Sequence, residues 1–122
     1  MIKITTDKAK NRLHIFMIGV VTFEEAQKSK LTIEDSIASL KAGFDVINDL
    51  SKFIRGDDKA GNVLKEIIIL LIQKGVNRVV RVVGTSRSGL LQFANNSIQI
   101  EQYKISYVPT LADAELLLSK VE

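Results

Sequence analysis

Two short runs rich in apolar and β-branched residues open the chain, "MIKIT" and "RLHIFMIGVV" (Arg12 to Val21), separated by the polar stretch "TDKAKN". This pattern predicts a β-hairpin. Thr22 and Glu25 then have the spacing of a capping box, so a helix should start there. Phe23, Ala26, Lys30, Ile33, Ile37 and Leu40 recur at steps of three and four and form one stripe, and Gly43 is a natural terminator. The stripe predicts one helix of about 20 residues. Lys30 is its single charged member, and Thr32 with Asp35 repeats the capping spacing, so two helices joined after Lys30 are the other reading.

"FDVINDL" (Phe44 to Leu50) reads as a short buried strand, followed by a helix from near Asp58 to Lys74 with Gly75 as its stop. "RVVRVVG" (Arg78 to Gly84) is a second such strand, and "LLQFANN" a short helix after Ser88. "QIEQYKISYV" alternates like a half-wet strand, and Thr110 with Asp113 caps a last helix, "LADAELLLSKV". Strands that alternate with helices after a first hairpin give an α/β fold: a mixed, mainly parallel sheet with helices packed on it. The whole chain, 1–122, reads as one domain. Its expected core includes Ile33, Ile37, Leu40, Val46, Ile47, Leu64, Ile68, Leu71, Val80, Val82 and Leu117.

Composition narrows the function more than the fold. With 46% hydrophobic and 25% charged residues the chain is of ordinary globular type. Cysteine is absent and His14 is the only histidine, which removes thiol chemistry, thiolate metal sites and multi-histidine metal sites. The net charge of +3 is spread along the chain, so nucleic acid is not favoured as a partner. The longest apolar run, Ile67 to Ile72, falls far short of the roughly 20 residues that span a bilayer, and no apolar secretory segment opens the sequence. These features predict a cytoplasmic protein. No nucleophile and base can be nominated, no cofactor is implied, and an enzyme is not expected.

Two G-x-x-x-x-G spacings follow strands and precede helices: "GDDKAG" (Gly56 to Gly61) and "GTSRSG" (Gly84 to Gly89). A Walker loop needs Lys and Ser/Thr after the second glycine, and these places hold Asn62-Val63 and Leu90-Leu91. Nucleotide hydrolysis is therefore not expected. Thr85, Ser86, Arg87 and Ser88, with Arg55, could hold an anion at a helix start; the simpler reading is a tight turn with Ser88 as N-cap. Asp57 and Asp58 suit a helix N-terminus, where free N–H groups stabilise negative charge. Arg81 lies inside the apolar run "VVRVV" and needs a partner or an open sheet face, for which Asp45 or Asp49 could serve. Ile69 and Ile72 sit beside the polar helical stripe of Asn62, Lys65, Glu66 and Gln73 and are candidates for an interface.

A helix ending in "LKAG", the strand "FDVINDLSKF", a loop bearing glycine and aspartate, a helix ending in "QKG", the strand "VNRVVRVVG" and a last helix opened by "PTLADAELLL" together resemble STAS domains. These are the anti-sigma factor antagonist-like folds, including the SpoIIAA-like branch. The resemblance covers nearly the whole chain from about Arg12 and rests on order and pattern. In the antagonists the corresponding loop carries Asp-Ser-Ser-Gly, whose second serine is phosphorylated by an anti-sigma kinase. Here the matching positions are Asp58-Lys59-Ala60-Gly61, and Ala60 has no hydroxyl to modify.

The resemblance implies a small bacterial cytoplasmic regulatory module that works by contact through Asp57, Asp58, Lys59, Ala60 and Gly61. Its partner would be another protein, or a second copy through Ile69 and Ile72. The alternative is a binding module for a small anionic or lipid-like ligand at the carboxyl ends of the inner strands, with Arg55, Lys59 and Arg87 as its cations.

Overall fold

The computed structural model describes residues 1–84 and 105–120. Its elements are β1 (Ile2–Asp7), β2 (Arg12–Val21), α1 (Phe23–Ala38), β3 (Asp45–Gly56), α2 (Ala60–Gln73), β4 (Val79–Val82), β5 (Ile105–Val108) and α3 (Leu111–Ser119). The five strands form one sheet in the order β1-β2-β3-β4-β5. β1 runs antiparallel to β2, and every later pair is parallel. The short helix expected after Ser88 and the first part of "QIEQYKISYV" lie outside the described residues.

Side chains alternate along a strand, so each strand serves both faces of the sheet. Leu13, Ile15 and Met17 of β2 and Val46 of β3 meet Ile33 and Ile37 of α1 and Val63, Ile67 and Leu71 of α2 in the larger core. Ile47, Val80 and Val82 point the other way and pack on Ala114 and Leu118 of α3. Leu118, rather than the expected Leu117, is the buried leucine of that helix, and Leu40, Leu64 and Ile68 are only half-buried. Each fully buried aliphatic side chain contributes about 1.5–3 kcal/mol.

α1 is one continuous helix that starts after Thr22 as expected, but its stripe and its C-terminal end differ from the expectation. Its buried face is Ala26, Ser29, Ile33 and Ile37. Ser29 is small enough to sit inward with its hydroxyl on the Ala26 carbonyl at 2.8 Å. Lys30 therefore turns outward and pairs with Glu66 at 3.2 Å. Thr22 Oγ1 accepts from the Glu25 N–H at 3.2 Å, as expected. The return half of the box is not made, because Glu25 Oε2 accepts from the Ile2 N–H at 3.2 Å and ties α1 to the hairpin. The helix stops at Ala38: the Ser39 and Leu40 N–H groups close tight turns onto the Ser36 and Ile37 carbonyls. Gly43, with φ of +85°, serves the following turn, where its N–H donates to the Gly75 carbonyl at 2.8 Å.

β3 is longer than the apolar run that announces it, with 12 residues against the expected Phe44 to Leu50. Its polar second half, Ser51 to Gly56, is strand because β2 continues beside it as far as Val21. The two strands form a ribbon that extends past β4, whose register with β3 stops at Asp49 and Val82. Register shifts between Phe16 and Ile18 and between Gly19 and Val20 bend this ribbon.

At the opposite end of the sheet, Asp45 and Arg78 lock α3 in place. Arg78 Nη2 donates to Asp45 Oδ2 at 2.9 Å and Nε to Oδ1 at 3.2 Å. The same guanidinium donates to the Leu118 and Lys120 carbonyls at the end of α3.

Candidate functional site

The loop between β3 and α2 is organised by one carboxylate. Asp57 Oδ1 accepts from the Ala60 N–H at 2.8 Å, which caps α2. Its Oδ2 accepts from the Phe23 N–H at 2.9 Å, the first residue of α1. Its own N–H donates to the Val21 carbonyl at 3.0 Å. One residue therefore holds the starts of two helices through its side chain and the end of β2 through its backbone. The Ala60 and Phe23 N–H groups hold its carboxyl below the usual 3.8.

This clasp explains why α2 begins at Ala60 and not near Asp58: Asp58 and Lys59 form the turn that Asp57 bridges. Ala60 is fully buried. Strand end and helix start approach so closely that a Cβ on Gly56 would lie 3.3 Å from the Ala60 Cβ. The loop shows solvent Asp58, Lys59 and Gly61, and the Lys59 ammonium stands 6.0 Å from the centre of the Phe23 ring. Arg55 is exposed at the end of β3. On the outer face of α2, Ile69 is 49% exposed and Ile72 half-buried. Thr85, Ser86, Arg87 and Ser88 lie outside the described residues, so their grouping with Arg55 has no geometry here.

Arg81 is only 2% exposed, on the α2 side of the sheet. Alternation along β3 places Asp45 and Asp49 with Ile47 on the α3 side, so neither is its partner. Asp45 is engaged by Arg78, and Asp49 Oδ1 accepts from the Ser51 N–H and hydroxyl at 3.0 and 2.6 Å. Arg81 instead stands in register with Asn48 and Tyr107, donates from Nη1 to the Tyr107 hydroxyl at 3.2 Å and lies 5.8 Å from that ring's centre. It forms the floor of a cleft of about 280 Å³ lined also by Asp58, Gly61, Asn62, Leu64, Lys65 and Ile68. Behind the cleft a cavity of about 50 Å³ reaches into the core between the sheet and α2. Asn48 Oδ1 faces it, buried and without a hydrogen-bond partner among the described residues. Asn48 and Tyr107 were not singled out from the sequence; only the register of β3, β4 and β5 brings them to Arg81.

His14 stacks on Phe16 with ring centres 6.1 Å apart. Burial lowers its pKa below the usual 6.5, and the Glu115 carboxylate partly opposes that shift. Among the described residues no group of three or more His, Cys, Asp or Glu could hold a metal ion, and no helix is long and apolar enough to cross a membrane.

No protein-family model and no curated protein matches the sequence. Solved structures do match over almost its whole length. The anti-sigma factor antagonist SpoIIAA in its unphosphorylated form aligns with a TM-score of 0.62 at 8% identity, covering 95% of this chain and 94% of its own. This chain has the STAS, or SpoIIAA-like, fold. The phosphorylated form of the Bacillus cell-fate determinant SpoIIAA has the same fold, with a TM-score of 0.61 at 11% identity and coverage of 97% and 99%. An uncharacterized protein with a SpoIIAA-like fold from Shewanella loihica aligns with a TM-score of 0.74 at 15% identity, covering 97% and 92%. A STAS sheet opened by an antiparallel hairpin is what the order of elements predicts.

Proposed function

We propose that this chain is a non-catalytic interaction module that meets a protein partner through the loop from Asp57 to Gly61 and the first turns of α2. The observation that carries this reading is the Asp57 clasp. By fixing the starts of α1 and α2 together it presents Asp58, Lys59 and Gly61 as a surface already in its binding shape, and a preformed loop loses less entropy on association. SpoIIAA exists in phosphorylated and unphosphorylated forms. In this chain the motif position is Ala60, which has no hydroxyl and is buried, so the contact is constitutive. Incubation with an anti-sigma-type kinase and ATP, followed by peptide mapping, should show no phosphate between Gly56 and Leu64. A phosphate there or on Ser51, with loss of partner binding, would overturn the reading.

The second reading, a small anionic or lipid-like ligand, is favoured by the cleft over Arg81 and the apolar cavity behind it. In that case Arg81 rather than Arg55 is the cation at the floor. Thermal stabilisation by fatty or short carboxylic acids, abolished in Arg81→Met but not in Lys59→Glu, would select it.

A further inference from the structure

We propose that the outer face of the β2–β3 ribbon is a second contact surface, built for an acidic, aliphatic segment of a partner protein. The proposal rests on the reading of the chain as an interaction module and names the chemistry of what it meets.

Leu13, Ile15, Met17 and Val21 of β2 face the α1–α2 core. The alternate positions Phe16, Ile18 and Val20 therefore share the other face. Cross-strand neighbours in register lie side by side on one face. The neighbour of Phe16 on β1 is Lys3, that of Ile18 on β3 is Lys52, and that of Val20 on β3 is Arg55. Each apolar residue of the row thus has a cation directly beside it, and Lys3, Lys52 and Arg55 are all exposed.

The register shift sharpens the tip. Gly19 pairs with Phe53 and Val20 with Arg55, so Ile54 is the extra residue of a bulge. It is 66% exposed and Val20 beside it 45%. α3 makes its main contacts with β3, β4 and β5. The acid in register with Phe16, Asp49, directs Oδ1 to Ser51.

Two features favour a protein over a bilayer. From Phe16 to Val20 the row is about 13 Å long at the rise of a strand, the length of a short peptide segment. Each cation is also level with its apolar neighbour along the ribbon. A membrane would instead sort apolar and basic groups by depth. The match is a segment carrying aliphatic side chains at strand or helix spacing with Asp or Glu alongside, steered by charge and held by burial.

The test uses a short fluorescein-labelled peptide that alternates Glu with Leu, its Lys/Leu counterpart, and vesicles containing phosphatidylglycerol. The Glu/Leu peptide should bind the full chain in a salt-sensitive manner. Amide shifts in the two-dimensional spectrum should centre on Val20, Ile54 and Arg55. The pair Lys52→Glu and Arg55→Glu should weaken binding by about tenfold or more, as should Ile54→Ser with Val20 intact, while the spectrum elsewhere is unchanged because all three residues are exposed. Lys59→Glu should bind the peptide normally, which separates the ribbon from the loop. Equal binding of the Lys/Leu peptide overturns the proposal. Shifts confined to Asp58–Leu64 overturn it and leave the loop reading standing. Vesicle binding without peptide binding overturns it in favour of lipid. Peptide binding at the ribbon alongside phosphorylation of the loop would remove the constitutive-loop reading and keep this one.

Discussion

Replacing Asp45 with alanine should loosen α3 from the sheet before anything else moves. Asp45 is the acceptor for Arg78 Nη2 at 2.9 Å, Arg78 Nε at 3.2 Å and the Arg78 backbone N–H at 3.2 Å. Its side chain is 11% exposed and that of Arg78 21%. Breaking a buried pair by removing one member typically costs about 3–5 kcal/mol, because the remaining charge stays desolvated. Some exposure of Arg78 lets water take over part of the lost contact, so the low end applies, about 3 kcal/mol. Urea unfolding should then show a midpoint lowered without a change in slope, and the melting temperature should fall by about 12 °C, at some 4 °C per kcal/mol for a domain of this size. Arg78→Met alone should cost a similar amount, since the Leu118 and Lys120 carbonyls also lose a donor. The double variant should cost clearly less than the sum, with a coupling of about 2 kcal/mol. Hydrogen exchange should quicken first in α3. A loss under about 0.5 kcal/mol, or strict additivity, would show that the pair is solvated and that apolar packing of Ala114 and Leu118 alone holds α3.

Asp57→Ala should raise the exchange rates of the Phe23 and Ala60 amides together, whereas Thr22→Ala should affect α1 alone; independent behaviour of the two amides would rule out a shared clasp. The folded pKa of Asp57 is depressed, so its contribution is present above the ordinary 3.8 and is lost as pH falls through the lower folded value, a slope that Asp57→Asn should flatten. The depressed pKa of His14 makes stability fall as pH drops below its ordinary 6.5, and His14→Gln should remove that segment of the pH profile in chemical denaturation. Replacing both Ile69 and Ile72 with Lys should spare the fold and weaken any self-association seen by light scattering; a monomer at every concentration before substitution would exclude a homodimer through this face.

Most of the fold was legible because its signals are local. The Thr22 and Thr110 caps, the hairpin and the apolar strands depend on neighbours a few residues apart. Lys30 shows the limit: a period of 3.6 cannot separate positions 29 and 30, and the size of Ser29 decided which turned inward. β3 shows another, since Ser51 to Gly56 is strand through pairing with β2 and not through its own composition. The partners of Arg81 were illegible for the same reason: Asn48, Arg81 and Tyr107 lie on three strands, and only the register aligns them. Of the candidate loop, the position of Asp57 at a helix start was readable from charge, but its second hydrogen bond, to Phe23, depends on a contact 34 residues away in sequence.

The two extra residues of β3 give that strand something like a reading frame. Between Phe16 and Val20, β2 advances four positions while β3 advances six, from Asp49 to Arg55. Each bulge alone inverts which side chains face outward, and the pair restores the phase. Asp49 and Arg55 thus share a face with Lys52, which strict alternation would send to the opposite one. Deleting one residue of either bulge would remove that bulge and leave the pairs beyond it intact, so Arg55 would still lie beside Val20 on the outer face. Removing one residue from each would give a shorter, flatter ribbon with the same outward set. A deletion between Asp45 and Asp49, where β3 pairs with β2 without a bulge, has no spare residue to give up and would act as a frameshift written in side chains. Length changes in β3 should therefore be tolerated at the two bulges and not before them.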